Sequence, residues 1–276
     1  MISYSKVVMG ESQLVVETAY KVMEIDGKGR GLVATRNLEV GELVVSEKMF
    51  LKLSSGAEYD VSSFCHLDNE VWEKLMDLSF PSRFKDSEAS PDEILQMKFL
   101  TNCISLDNEE SAADSAVFET ISLINHSCIP NVAWFTEEED KTRKEVRVCR
   151  EIQEGEEILA SYISLAELPL MQQRMDLLMP TWSFVCRLTK FYSRYVFCLR
   201  CELCSLTGEK LEQNEDLRKE LLSLGRAAED LYDVGLGSQG LEKLEEKVEL
   251  MEKHQKEFCM EVLSLLSDFN FFRSSS

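Results

Sequence analysis

Short apolar runs separated by glycine turns dominate the chain from about Val15 to Leu53. Leu14-Val15-Val16 leads to Tyr20-Lys21-Val22-Met23-Glu24-Ile25, then to the turn Asp26-Gly27-Lys28-Gly29-Arg30-Gly31. Leu32-Val33-Ala34-Thr35 follows, and after Gly41 comes Leu43-Val44-Val45-Ser46-Glu47. Runs of this length predict small antiparallel sheets. From about Val61 to Leu106 the period changes. Phe64, Leu67, Val71, Leu75 and Leu78 recur at helical spacing, and Ile94, Leu95, Phe99 and Cys103 predict a second helix with Pro91 in its first turn. Asp107–Asp114 is a polar loop that ends this helical block.

β-character returns at Val132–Thr136. The acidic run Glu137-Glu138-Glu139-Asp140 reads as a solvated hairpin tip, and the alternating Glu145–Arg150 as its return strand. Glu154–Glu157 is a turn, and Ile158–Ile163 a further apolar strand. Beyond Leu217 the pattern is helical to the end. Leu217, Leu221, Leu224, Ala228 and Leu231 form one stripe, which Gly235, Gly237 and Gly240 break. Leu241, Leu244, Val248, Met251, Phe258, Val262 and Leu265 form a second, and the two stripes suit a helical hairpin. Such an element packs or docks a partner and carries no chemistry.

The chain has 276 residues, 44% hydrophobic, enough for one or two domains with a core. It starts without a signal pattern and has no apolar run long enough to span a bilayer, so a soluble intracellular protein with no membrane partner is expected. Its formal net charge of −20 disfavours direct contact with a nucleic-acid backbone and favours basic peptides. Charge alone means no more than solubility. Nine cysteines without a signal pattern argue against a disulfide framework. Five are scattered, as small core residues are, but Cys186, Cys198, Cys201 and Cys204 lie close together, which raises the odds of a metal site.

Four strings carry candidate chemistry, and each has a plain reading too. Gly27-Lys28-Gly29-Arg30-Gly31 lets backbone approach a ligand, or is only a tight hairpin turn. It is not a dinucleotide fingerprint, since the required spacing of the third glycine and the following helix are missing. Asn125-His126-Ser127-Cys128-Ile129-Pro130-Asn131 is a dense polar patch, or a loop with a satisfied core histidine. Gly155-Glu156-Glu157-Ile158 leads into Ser161-Tyr162, whose tyrosine is by default an amphipathic core residue. Trp182-Ser183-Phe184-Val185-Cys186, with Cys201-Glu202-Leu203-Cys204 downstream, offers thiolates at zinc-ligand spacing, although one CxxC pair needs two further ligands.

In this order, the four strings resemble the SET-domain protein lysine methyltransferases, most of all the SET-and-MYND branch. The resemblance runs from about Val15 to Cys204, with the helical block as the family's variable insert. Cys65-His66 is the one thiol–imidazole pair in that insert, and no MYND zinc module is recognisable there. The resemblance implies a mainly β SET fold of small antiparallel sheets with a knot-like core. With its helical insert and helical C-terminal tail the whole is α+β. It divides the chain into a SET domain over 15–163 with an insert at about 58–115, a post-SET cysteine segment over 164–204, and a helical tail over 205–276.

The resemblance also implies an S-adenosylmethionine cofactor, a zinc ion, and a lysine-bearing protein substrate, histones included, in nucleus or cytoplasm. Lys28, Gly29 and Arg30 would offer backbone to the cofactor, with Asn125, His126 and Phe184 around it. Tyr162 would be the catalytic tyrosine, and Trp182 and Phe184 would line the lysine channel. Zinc would sit on Cys128, Cys186, Cys201 and Cys204. Here the chain departs from the family pattern, because residues 188–200 intervene before the expected second cysteine. With these residues looped out the pattern is restored, and Cys198 is then the rival of Cys186. If they keep the site from closing, the alternative is a SET-like scaffold that binds partners through its helical tail and no longer methylates.

Overall fold

The computed structural model describes residues 18–53, 66–80, 89–106, 114–137, 139–163, 170–182, 184–185, 197–198 and 201–254. The expectations for Leu14–Val16, Phe64, Cys65, Cys186, Phe258, Val262 and Leu265 lie outside these residues.

The glycine-punctuated start folds as expected. β1 (Tyr20–Ile25) and β2 (Gly29–Ala34) pair antiparallel across the Asp26–Lys28 turn. Gly27 and Gly29 stand at φ +70° and +75°, values that only glycine adopts without strain, so the turn depends on both. β2 also pairs with β10 (Glu157–Ala160), and β10 runs parallel to β7 (Asn125–His126), giving the sheet order β1-β2-β10-β7. The chain after β7 is stitched to the same strand: Ser127 N donates to Ala160 O and Asn131 N to Leu159 O. Asn131 is fully buried, and its side chain donates to Glu157 O and accepts from Leu159 N. One residue thus satisfies a strand edge that would otherwise be buried unpaired.

A second sheet, β3-β9-β8, holds β3 (Leu43–Lys48), β9 (Arg143–Val148) and β8 (Val132–Thr136). The β8–β9 hairpin closes over the acidic tip, where Asp140 accepts from Thr142 N. Glu47 of β3 accepts from the amides of Glu119, Thr120 and Ile121, which anchors the turn leading into β7. Leu32, Ile121, Val132, Val146, Ile152 and Ile158 are fully buried between these layers. Each contributes about 1.5–3 kcal/mol of burial, which fixes the register of β2 and β10.

The helical block contains α1 (Asn69–Asp77) and α2 (Pro91–Asn102), packed on a third sheet of β4 (Leu51–Leu53), β6 (Ser115–Val117) and β5 (Ile104–Ser105). α2 starts with Pro91 behind a Ser90/Glu93 capping box. Lys98 of α2 is buried and donates to Met76 O and Leu78 O, capping the carbonyl end of α1 and fixing the two helices together.

Downstream, α3 (Met171–Trp182) leads to β11 (Phe184–Val185), which pairs parallel with β12 (Phe197–Cys198). The helical tail forms the expected hairpin, α4 (Glu209–Asp233) against α5 (Gly237–Lys253), with Leu221, Ala228, Leu244 and Met251 at its core. The break falls only at Val234–Leu236. Gly240, expected to be part of it, lies inside α5, where a Cβ would come 2.8 Å from Ala228 O. It is a packing glycine, not a helix breaker. No described helix is long and apolar enough to cross a membrane.

The strand expected over Ile158–Ile163 ends at Ala160. The amide of Tyr162 turns away to donate to His126 Nδ1, and Ser161 Oγ donates to Ile163 O. Both bonds compete with strand continuation, and this bend places the tyrosine.

Candidate active site

Two strands bring the remote strings together. Leu159 and Ala160 lie opposite Asn125 and His126 in the parallel β10–β7 register, and β2 flanks β10 on its other side. The glycine turn, the Asn125-His126 pair and Tyr162 therefore share one end of a single sheet.

On the β2 side, Asn125 Nδ2 donates to Arg30 O at 3.1 Å and to Glu157 Oε1 at 3.0 Å. Lys28 Nζ reaches Glu157 Oε2 at 2.5 Å. Arg30 turns outward to Asp77 of α1, at 2.7 Å. A Cβ on Gly27 would meet nothing within 4 Å, and one on Gly29 only Ser79 Oγ at 3.9 Å, so the turn is uncovered backbone. Gly31 differs. A Cβ there would lie 2.7 Å from Asn125 Nδ2, 2.8 Å from Ile25 Cγ1 and 3.2 Å from Glu157 Oε1. Gly31→Ala is therefore expected to cost about 1–3 kcal/mol through displacement of Asn125 and Glu157. A denaturation midpoint equal to that of the wild type would contradict this close approach.

Tyr162 donates its hydroxyl to Ile124 O at 2.8 Å. Its ring lies 5.3 Å from that of His126 and 5.2 Å from that of Trp182. Burial, and after it the Glu157 carboxylate, hold the phenol pKa well above the usual value, so the group stays a neutral donor. Trp182, at the end of α3, donates Nε1 to Thr101 O of α2 at 2.8 Å. That bond ties α3 to α2. Between them lies a cavity of about 460 Å³, lined among others by Tyr162, Trp182, Trp134, Ser122 and Ser161. None of the described residues that line it is charged. Cys103 opens onto this space, its thiol pushed up to about 11 by burial and so unsuited to nucleophilic work.

His126 faces away from open space. It is buried, its Nε2 lies 3.3 Å from Cys128 Sγ and its Nδ1 accepts from Tyr162 N at 3.0 Å. Burial pushes its pKa down to about 3, so the ring is neutral.

Cys128, Cys201 and Cys204 are all buried, with their sulfurs within 4.8 Å of one another and those of Cys128 and Cys204 3.5 Å apart. Thiolates around a tetrahedral zinc, each at about 2.3 Å from the metal, lie roughly this far apart, so the three fit the ion. Cys204 N donates to Cys201 Sγ at 3.3 Å, which favours a thiolate. Arg174 of α3, buried, sets Nη2 3.6 Å from Cys204 Sγ. Burial disfavours its cation, but the Cys204, Cys128 and Cys201 sulfurs together outweigh burial and raise its pKa. Cys186, the expected fourth ligand, lies outside the described residues; Cys198 and Phe184 are placed by backbone alone.

A family model described as the SET domain matches residues 29–163. These residues are a SET domain. The α+β architecture of small sheets with helical additions is the fold expected from the sequence. Histone-lysine N-methyltransferase set5 of Schizosaccharomyces pombe is 26% identical over 211 residues, covering 74% of this chain and 56% of that protein. N-lysine methyltransferase SMYD2-B of Xenopus laevis is 34% identical over 165 residues, covering 57% of this chain and 34% of that protein. N-lysine methyltransferase SMYD2 of Homo sapiens is 35% identical over 113 residues, covering 41% and 22%. The chain thus spans 56% of the length of the first relative and about a third or less of the other two.

Lys28, just before the SET domain, and Gly29, Arg30, Asn125, His126 and Tyr162 within it converge, and Trp182 joins them from α3. The side chains of Asn125 and His126 bond Arg30 O and Glu157, and Cys128 and Tyr162, respectively. Sequence reasoning missed Asn131 as the clamp on β10, Glu157 as the partner of both Lys28 and Asn125, and Arg174 as the cation beside the thiols. A lone Arg174 amid the apolar positions Met171 and Leu178 was the available signal for the last.

Proposed function

We propose that the chain is a protein lysine N-methyltransferase using S-adenosylmethionine, with a structural zinc on the cysteine centre. The observation that carries this reading is Tyr162 in the wall of a cavity whose described lining is uncharged, beside the Asn125-His126 strand. The methyltransferase names of the relatives support it.

The donor set around the glycine turn fits an amino-acid zwitterion joined to adenosine: an ammonium (Lys28), a carboxylate (Glu157), a primary amide (Asn125) and uncovered glycine backbone at residues 27–29. The Lys28–Glu157 pair would offer the cofactor's carboxylate an ammonium and its ammonium a carboxylate. Lys28, Gly29, Arg30, Asn125 and the His126 segment, with Phe184, would hold the cofactor, which would supply an electrophilic methyl group.

The cavity does the rest. A lysine amine normally carries its proton, with a pKa of about 10.4. Moving it among Trp182, Trp134 and hydroxyls with no counter-charge disfavours the ammonium and releases the lone pair. Tyr162 donates its O–H to Ile124 O, which orients the hydroxyl so that its oxygen would accept an amine N–H and aim the nitrogen. Aromatic faces of Trp182 and Phe184 suit the cationic methylated product. Cys128, Cys201 and Cys204, with Cys186 as the expected fourth ligand, would bind zinc, and the ion would cross-link the segment over 164–204 to the SET domain of 15–163. The tail over 205–276 is a docking element. An acidic chain suits a basic substrate segment, histones among the class, in nucleus or cytoplasm.

Calorimetric titration tests the first step. The wild-type chain is expected to bind S-adenosylmethionine, and Lys28→Ala to bind it more weakly. A chain that binds no cofactor would defeat the reading. The 13 residues over 188–200 favour one rival, a SET-like scaffold without turnover. Labelled-methyl incorporation into mixed histones or a cell lysate separates the two, because a scaffold that keeps the cofactor still transfers nothing.

A further inference from the structure

We propose that His126 is a positioning residue that couples the Cys128–Cys201–Cys204 centre to Tyr162, its imidazole bridging the Cys128 sulfur and the Tyr162 backbone amide. This rests on the reading of Tyr162 as the hydroxyl at the reacting amine, and of the three cysteines as zinc ligands.

The two contacts fix the ring's protonation. A backbone N–H can only donate, so Nδ1, 3.0 Å from Tyr162 N, must be the acceptor. The proton of the ring therefore sits on Nε2, which points at Cys128 Sγ 3.3 Å away and donates to it. Metal ligation keeps that sulfur a thiolate, and a bond to an ionised acceptor is shorter and stronger than one to a thiol. The bond on the other side of the ring ends β10: Tyr162 leaves the strand because its amide follows the imidazole. A buried ring has little room to move independently, so displacing Cys128 moves the ring, the Tyr162 amide and the hydroxyl on Ile124 O together. The competing role is a core histidine with two satisfied nitrogens and no coupling.

Two substitutions separate the halves of the bridge. Asparagine at position 126 places an acceptor near Nδ1 but does not reach Cys128. Glutamine places a donor near Nε2 but offers no acceptor to Tyr162. The full chain loaded with zinc is compared with the zinc-stripped chain by chelator competition and by the amide resonance of isotope-labelled Tyr162. His126→Asn is expected to weaken zinc about 10–100-fold, the usual effect of losing a hydrogen-bond partner of a ligand. Its Tyr162 amide no longer responds to zinc. His126→Gln is expected to hold zinc nearly as the wild type does, to lose the Tyr162 amide's bonded resonance position, and to lower kcat more than it changes KM. Equal zinc affinity in the two variants overturns the bridge, and so does a Tyr162 amide in either variant that responds to zinc as in wild type. Should neither variant fold, the wild type decides: zinc removal must shift the His126 ring and Tyr162 amide resonances together, and unchanged resonances refute the coupling. The zinc-affinity and resonance readouts need no turnover. A chain that shows the coupling but transfers no methyl group refutes the methyltransferase reading alone.

Discussion

Tyr162→Phe is expected to lower methyl transfer about 100-fold, the scale of loss when a reacting group is held in the wrong geometry. S-adenosylmethionine affinity should stay near the wild-type value. The substitution removes one oxygen. With it go the bond to Ile124 O and the lone pairs that would accept an amine N–H in the cavity, while the ring keeps its packing on His126 and Trp182. The side chains proposed for the cofactor, Lys28, Asn125 and Glu157, bond one another and the Arg30 carbonyl, and none of these hydrogen bonds involves the phenol. A fall in kcat with an unchanged cofactor isotherm is the signature. Wild-type turnover in the mutant would remove Tyr162 from the mechanism.

Cys204→Ser is expected to have the second large effect, on metal content and stability together. Structural zinc sites bind with an apparent roughly 10–16 kcal/mol, which is folding energy for the segment they close, so losing a ligand should cost several kcal/mol. Cys204 also carries the Arg174 contact and the sulfur nearest Cys128, so the serine leaves a buried guanidinium facing a weaker partner. The wild-type chain is expected to contain zinc, and Cys204→Ser to lose it along with its Tm. Of the two rivals for the remaining position, Cys186→Ser should lose zinc and Cys198→Ser should keep it. A wild-type protein purified without zinc would remove the site from the account.

The parts of this architecture that were legible in the sequence are those set by periodicity and local chemistry. Glycines at 27 and 29 marked the β1–β2 turn because the backbone there needs positive φ. Pro91 behind Ser90 marked the start of α2, and the spacing of Leu221, Ala228, Leu244 and Met251 marked the hairpin tail. α3 went unread, because Met171, Arg174 and Leu178 put a charged residue on its buried face and Pro180 sits near its end. The end of β10 was placed three residues late for a related reason. Ser161-Tyr162-Ile163 is apolar enough to continue a strand, and only a tertiary bond, Tyr162 N to His126 Nδ1, ends it.

At the site, residue identities were legible but side-chain destinations were not. Asn125 and His126 stood out in the sequence, but that their side chains meet Arg30 O, Glu157, Cys128 and Tyr162 did not. Those partners are 32 to 95 residues away for Asn125 and 2 and 36 for His126. No local pattern encodes contacts across a parallel β10–β7 register.

Incubating the wild-type chain with methyl-labelled S-adenosylmethionine and mixed histones, then locating the label by mass spectrometry, tests the whole account at its centre. Label on lysine side chains, absent with Tyr162→Phe, is the result it predicts. Cofactor bound but no label on any lysine, in histones or in a whole-cell lysate, would contradict it.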